Sequence, residues 1–188
     1  LALKDAKDLK ASVLEDHLDC EQGDLPEEIF RKDLLCPRIF LEELTPYRSV
    51  IRGFFEEETK HSFAEQPERI LDYMKKNITF HAEEEYGTIM ATPVGVLTMK
   101  QGSPLAQKIL FVAICRSLNV AARLNPVTLE PEYYRDGEFH SVETEAAVLK
   151  EETESAVLTL NAEDGSAWKY YQTWTIGKWN GTVFETLN

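Results

Sequence analysis

Little in this chain suits covalent cross-linking or metal chemistry. Its three cysteines, Cys20, Cys36 and Cys115, are too few and too scattered for a disulfide framework. No pair has metal-ligand spacing and the four histidines are dispersed, so no metal or other cofactor is expected. Positive charge is also short. Twenty Lys and Arg against 33 Asp and Glu leave a formal net charge of −13. That balance argues against nucleic acid, whose phosphates need a basic surface, and against an anionic membrane face. No apolar run can span a bilayer and no signal-peptide pattern is present, so no membrane insertion is expected. The first residue is Leu1 rather than Met, as in a mature or trimmed product. With 43% hydrophobic and 28% charged residues the composition is ordinary for a globular protein. The length of 188 residues holds one moderate domain, or one domain and a piece of another.

What the chain does have is one long apolar stretch, Gln101 to Arg123. Ser103 followed by Pro104 reads as a helix start, with the serine hydroxyl as cap and proline in the first turn. Leu105, Ile109, Leu110, Val112, Ala113 and Ile114 leave little polar face, so this helix should be packed on most sides. Cys115 then reads as a buried structural thiol. Asn119 tolerates the left-handed conformation and marks the helix end. Val120 to Val127 reads as a strand beside the helix it leaves.

Four short helices are expected before this stretch. The first covers residues 1 to about 20, with Leu3, Ala6, Leu9, Val13 and Leu18 as its apolar stripe. The second runs to about Leu35, with Asp24 as cap and Pro26 in the first turn. The third follows Thr45-Pro46 through about Lys60, and the fourth opens at Pro67 with Ile70, Leu71 and Met74 facing inward. Residues 81 to 92 are polar, and Glu83, Glu84 and Glu85 suit a solvated loop better than a cation site. After Val127, Tyr133-Tyr134, an Asp136-Gly137 turn and Phe139 to Thr144 predict a hairpin. A charged linker over 145 to 154 and strands at 156 to 160, 169 to 174 and 182 to 187 complete the reading. Asn77-Ile78-Thr79 and Asn180-Gly181-Thr182 match the glycosylation acceptor pattern.

The stretch 101 to 123 resembles the core motif of the transglutaminase-like superfamily, which has a papain-type thiol-enzyme fold. That motif runs Gly-Asp-Cys, a buried helix ending in Arg, a small turn, then Gly-Ile-Pro-Ala-Arg and a strand. Without a gap, Gly102-Ser103-Pro104 falls on Gly-Asp-Cys, Arg116 on the helix-ending Arg, and Asn119 to Arg123 on Gly-Ile-Pro-Ala-Arg. Thr92-Pro93 and Val96-Leu97 match the short lead-in segment. The resemblance implies an α+β fold: a helical part at 1–65, a transglutaminase-like core at 66–145 with the buried helix on an antiparallel sheet, and further β strands at 146–188 that start another module. It also implies a bacterial, multi-domain protein, extracellular or attached to the cell envelope.

The same overlay weakens the chemistry. Thiol catalysis needs a cysteine at the helix N-terminus, a histidine base and a group that orients the ring. The three positions read as Pro104, Thr128 and Glu143, one acid with neither nucleophile nor base. Ser103 and His140 are the nearest substitutes, but Ser103 is explained as a cap and an alcohol without a base is a weak nucleophile. Tyr133, Tyr134, Trp168 and Trp179 are candidate ligand-binding aromatics, although strand aromatics mostly serve packing. The favoured reading is an inactive domain that binds a peptide, protein or glycan ligand or acts as a scaffold. An active hydrolase or acyltransferase with rearranged residues is the alternative.

Overall fold

The computed structural model describes residues 9–80, 91–144, 175–179 and 184–186. The chain divides into two compact units, Leu1–Glu152 and Thr153–Asn188. The first unit is α+β. Its described helices are α1 (Ala11–Leu18), α2 (Glu27–Ile29, continuing as a π-helical turn over Phe30–Leu35), α3 (Tyr47–Phe54), α4 (Glu57–Glu65), α5 (Glu68–Asn77), α6 (Pro93–Met99) and α7 (Pro104–Ser117). Two short parallel strands, β1 (Thr79–Phe80) and β2 (Gln101–Gly102), tie the end of α5 to the start of α7. An antiparallel sheet of β3 (Ala122–Leu124), β4 (Pro131–Arg135) and β5 (Glu138–Ser141) follows, in the order β3-β4-β5.

The apolar stretch forms the central helix as its sequence predicts. Ile109 to Cys115 of α7 are fully buried. The core gathers around them from Tyr47, Ile51, Phe55, Phe63, Ile70 and Met74 on the helical side and from Ala122, Leu124, Tyr133 and Val142 on the sheet side. Burying a side chain such as Ile109 or Leu110 contributes about 1.5–3 kcal/mol, so this helix anchors the unit. Ser103 caps it, with the Ser103 Oγ accepting from the Ala106 N–H at 3.1 Å. Asn119 ends it in the left-handed region (φ +63°). There the Val120 N–H donates to the Cys115 carbonyl at 2.9 Å and the Asn119 N–H to that of Arg116, which satisfies two of the last carbonyls.

Several local expectations need correction. The expected third helix is two helices, α3 and α4, because Phe55 takes an extended conformation (φ −103°, ψ 141°). The break turns the Phe55 ring onto Phe63 and Tyr73, at 5.3 and 5.1 Å between centroids. Glu57 and Glu58 then fall in the first turn of α4, where carboxylates suit the helix dipole. Asp24 does not cap α2, whose N-cap is Pro26 with no side-chain hydrogen bond. Thr92-Pro93 is more than a lead-in: Thr92 caps α6, its Oγ1 accepting from the Gly95 N–H. The strand after Asn119 stops at Leu124, because the Asn125 Oδ1 accepts from the N–H groups of Val127 and Thr128 and turns the chain. On α1 the inward pair is Val13 and His17, one turn apart, while Leu18 is 65% exposed.

The expected hairpin is present, with Tyr133 opposite His140 and Tyr134 opposite Phe139. Of the second unit, the described part is an antiparallel pair, β6 (Gly177–Trp179) with β7 (Phe184–Thr186). The expected helix over residues 1–8, the loop at 81–90, the linker at 145–154, the strands at 156–160 and 169–174 and Trp168 lie outside the described residues. No described helix is long and apolar enough to cross a membrane.

Candidate functional site

The N-terminal end of α7 is where this architecture would place a nucleophile. Pro104 stands in the first turn and brings neither a nucleophilic group nor a backbone N–H. The Ser103 hydroxyl is engaged by the Ala106 N–H, as its capping role requires. One turn further along the same face, Lys108 is 5% exposed. Its Nζ donates to the Glu130 Oε1, and the Thr144 hydroxyl donates to the other oxygen, Oε2, at 3.2 Å. Glu130 comes from the residue before β4 and Thr144 from just beyond β5, so one ion pair clips α7 to both arms of the hairpin. Lys108 and Glu130 side chains keep only 7% and 17% of their surface exposed.

The counted catalytic positions lie elsewhere. Thr128 is exposed in the β3–β4 turn, its N–H on the Asn125 Oδ1 and its Oγ1 accepting from the Glu130 N–H. Glu143 is exposed beyond β5, whereas its neighbour Thr144 points inward. His140 is occupied within its own hairpin: its ring stacks on Tyr133 at 5.3 Å and its Nε2 contacts the Arg135 carbonyl at 3.2 Å. No hydrogen bond joins it to Ser103 among the described residues. Tyr133 is a packing residue, buried with its hydroxyl donating to Glu68. Burial, and next the Glu68 carboxylate, push its phenol up to about 12. Cys115 is buried on the far part of α7, where desolvation raises its thiol well above the ordinary range.

The other face of the hairpin is more open. Tyr134 and Phe139 meet edge to face at 5.2 Å, and the Arg123 guanidinium lies 3.5 Å over the Phe139 ring. Arg123 also pairs with Glu132 at 3.0 Å. All three of Arg123, Tyr134 and Phe139 are half-buried. Of the other aromatic candidates, Trp179 lies on β6 and Trp168 lies outside the described residues.

The C-terminal end of α7 holds a second polar cluster that the motif only half announces. Arg116, 2% exposed, donates to the carbonyls of Ala122, Cys36 and Arg38 at 2.8, 2.7 and 3.1 Å. Arg48, with no exposed surface, donates to the carbonyls of Arg116 and Leu34 and to the His17 Nδ1. The π-helical turn presents the Leu34 carbonyl to this cluster. Asp16 of α1 caps α3 from outside, accepting from the N–H groups of Arg48 and Ser49 at 2.8 and 2.9 Å. Lys108, Glu130, Thr144, Arg48 and His17 were missed by sequence reasoning. The only available signals were the four-residue spacings Pro104–Lys108 and Val13–His17.

A buried helix closed by an arginine, followed by an antiparallel hairpin, is the frame on which papain-type thiol enzymes build their site. Residues 48–143, just over half of the chain, match the transglutaminase-like superfamily, and the chain belongs to it. No curated protein and no solved structure matches the chain.

Proposed function

We propose that this chain uses its transglutaminase-like domain without thiol catalysis, as a scaffold or binding module for a peptide or glycan. One observation carries this reading. The first two turns of α7 present a capping serine, a proline and a lysine committed to an ion pair with Glu130. A thiolate at that position needs a base within hydrogen-bond reach, and Glu130 is held instead by Lys108 and Thr144. Pro104→Cys alone should therefore give no turnover. The half-exposed Arg123, Tyr134 and Phe139 supply apolar surface, a cation and hydrogen-bonding groups for a ligand.

An amine-incorporation and peptide-hydrolysis assay, with and without a thiol alkylator, tests the reading on the unmodified protein. The expected result is no alkylator-sensitive turnover. Turnover abolished by the alkylator would contradict it and point to Cys115 or another of the three cysteines as nucleophile. For the binding role, screening peptide and glycan arrays should yield ligands whose retention drops with Tyr134→Ala and Phe139→Ala.

A further inference from the structure

We propose that His17 is a pH-sensitive latch: its neutral ring holds α1 on α3 and the C-terminal end of α7, and its protonation releases α1. The imidazole is 2% exposed and both ring nitrogens are engaged. The Arg48 Nε lies 3.3 Å from Nδ1 and can only donate, so Nδ1 accepts and carries no proton. The Thr45 carbonyl lies 3.0 Å from Nε2 and can only accept, so Nε2 carries the proton. These contacts specify one neutral tautomer. A second proton would set an N–H of a cation against the N–H of a guanidinium.

The charges around the ring do not compensate such a proton. Arg48 comes from α3 and Arg116 from α7. Tyr47 of α3 lies edge-on to the ring at 4.6 Å. From the α1 side, Asp16 already accepts from two α3 N–H groups, and the Cys20 thiol reaches back to the His17 carbonyl. Two fixed cations thus face one committed carboxylate. Burial is the largest cause that holds the imidazole below its usual range; Arg48 and Arg116 add to it, while the Thr45 carbonyl and Asp16 oppose it.

The sign of the linkage follows. Released His17 titrates near its ordinary value of about 6.5, and docked His17 titrates lower. The released state binds more protons, so docking is fully supported above about pH 6.5 and weakens as the pH falls below it. Over that window the released population rises by up to about tenfold per pH unit. Among the described residues, this segment is also tied by buried Val13, by Asp16 on α3, by Asp19 on Arg52, and by Glu21 with Asn119. None of them involves a histidine, so they limit the release to a local opening that uncovers Tyr47 and Arg48.

The test is amide hydrogen exchange on the full chain from pH 7.5 to 5, corrected for intrinsic rates, together with titration of the His17 ring resonance. Protection of residues 11–18 should fall by up to about tenfold per pH unit below about 6.5, while that of α7 holds. The ring should titrate below its ordinary value. His17→Gln should remove the pH dependence, and His61→Gln, which deletes an exposed imidazole on α4, should keep it. Constant protection of residues 11–18, a ring titrating at or above 6.5, or an unchanged profile in His17→Gln would each overturn the latch. If His17→Gln does not fold, the ring titration and the exchange profile of the unmodified protein decide alone.

Discussion

The two ends of α7 are tied down by different kinds of polar contact, arginine to backbone at one end and side chain to side chain at the other. At the C-terminal end, Arg116 and Arg48 lock four stretches of chain together by donating to backbone carbonyls of Leu34, Cys36, Arg38, Arg116 and Ala122. Nothing there resembles a reacting centre, and the arginines do the work of fixed struts. At the N-terminal end, where a thiol enzyme would keep reactive groups free, Lys108, Glu130 and Thr144 are also bound to one another. The scaffold of the family is present here with both ends of its central helix tied into polar contacts.

Substitutions at the arginine end should have the largest effect. Arg116→Leu removes the partner of three carbonyls in a buried setting, and Arg48→Leu removes that of two carbonyls and the His17 ring. Each unsatisfied buried group costs about 1–3 kcal/mol, so either change should lower stability by about 3–5 kcal/mol in chemical denaturation. At the N-terminal end, Lys108→Met leaves the Glu130 carboxylate with the Thr144 hydroxyl alone. The expected cost is about 2 kcal/mol, below the roughly 3–5 kcal/mol of a fully buried broken pair because Glu130 keeps some access to water. The caps are smaller still: Ser103→Ala and Thr92→Ala should each cost about 1 kcal/mol. Thiol labelling reads the burial of α7 without altering the fold. Half-buried Cys20 and Cys36 should react before Cys115, which should stay protected until the unit unfolds.

The sequence made the hydrophobic scaffold legible because local rules govern it. Ser103, Pro104 and Asn119 are short-range signals, and the apolar filling of α7 leaves the helix no solvent face. The Asp136-Gly137 turn likewise sets the hairpin. The buried polar contacts are different in kind. Arg48 meets Leu34, Arg116 and His17, separated by 14, 68 and 31 positions, and no pattern within one element encodes such a meeting. The split at Phe55 has the same origin, since the gain comes from Phe63 and Tyr73 in the next two helices. On the hairpin, Thr128 and Glu143 are exposed, while their neighbours Glu130 and Thr144 turn toward α7, and that alternation depends on the Asn125 turn rather than on spacing along the chain. His17 hid behind Leu18, because hydrophobicity alone puts the leucine inside.

A double-mutant cycle on Lys108 and Glu130 measures directly how far this pair holds the N-terminal end of α7. Stability would be measured for the unmodified protein, Lys108→Met, Glu130→Leu and the two together. If the N-terminal end of α7 is held by this pair, the double variant should lose less than the sum of the single losses, by about 1–2 kcal/mol. Additive losses would mean that the two side chains act independently. The pair would then not hold the N-terminal end of α7 to the hairpin, and the reading of that end as tied down by Lys108 and Glu130 would be contradicted.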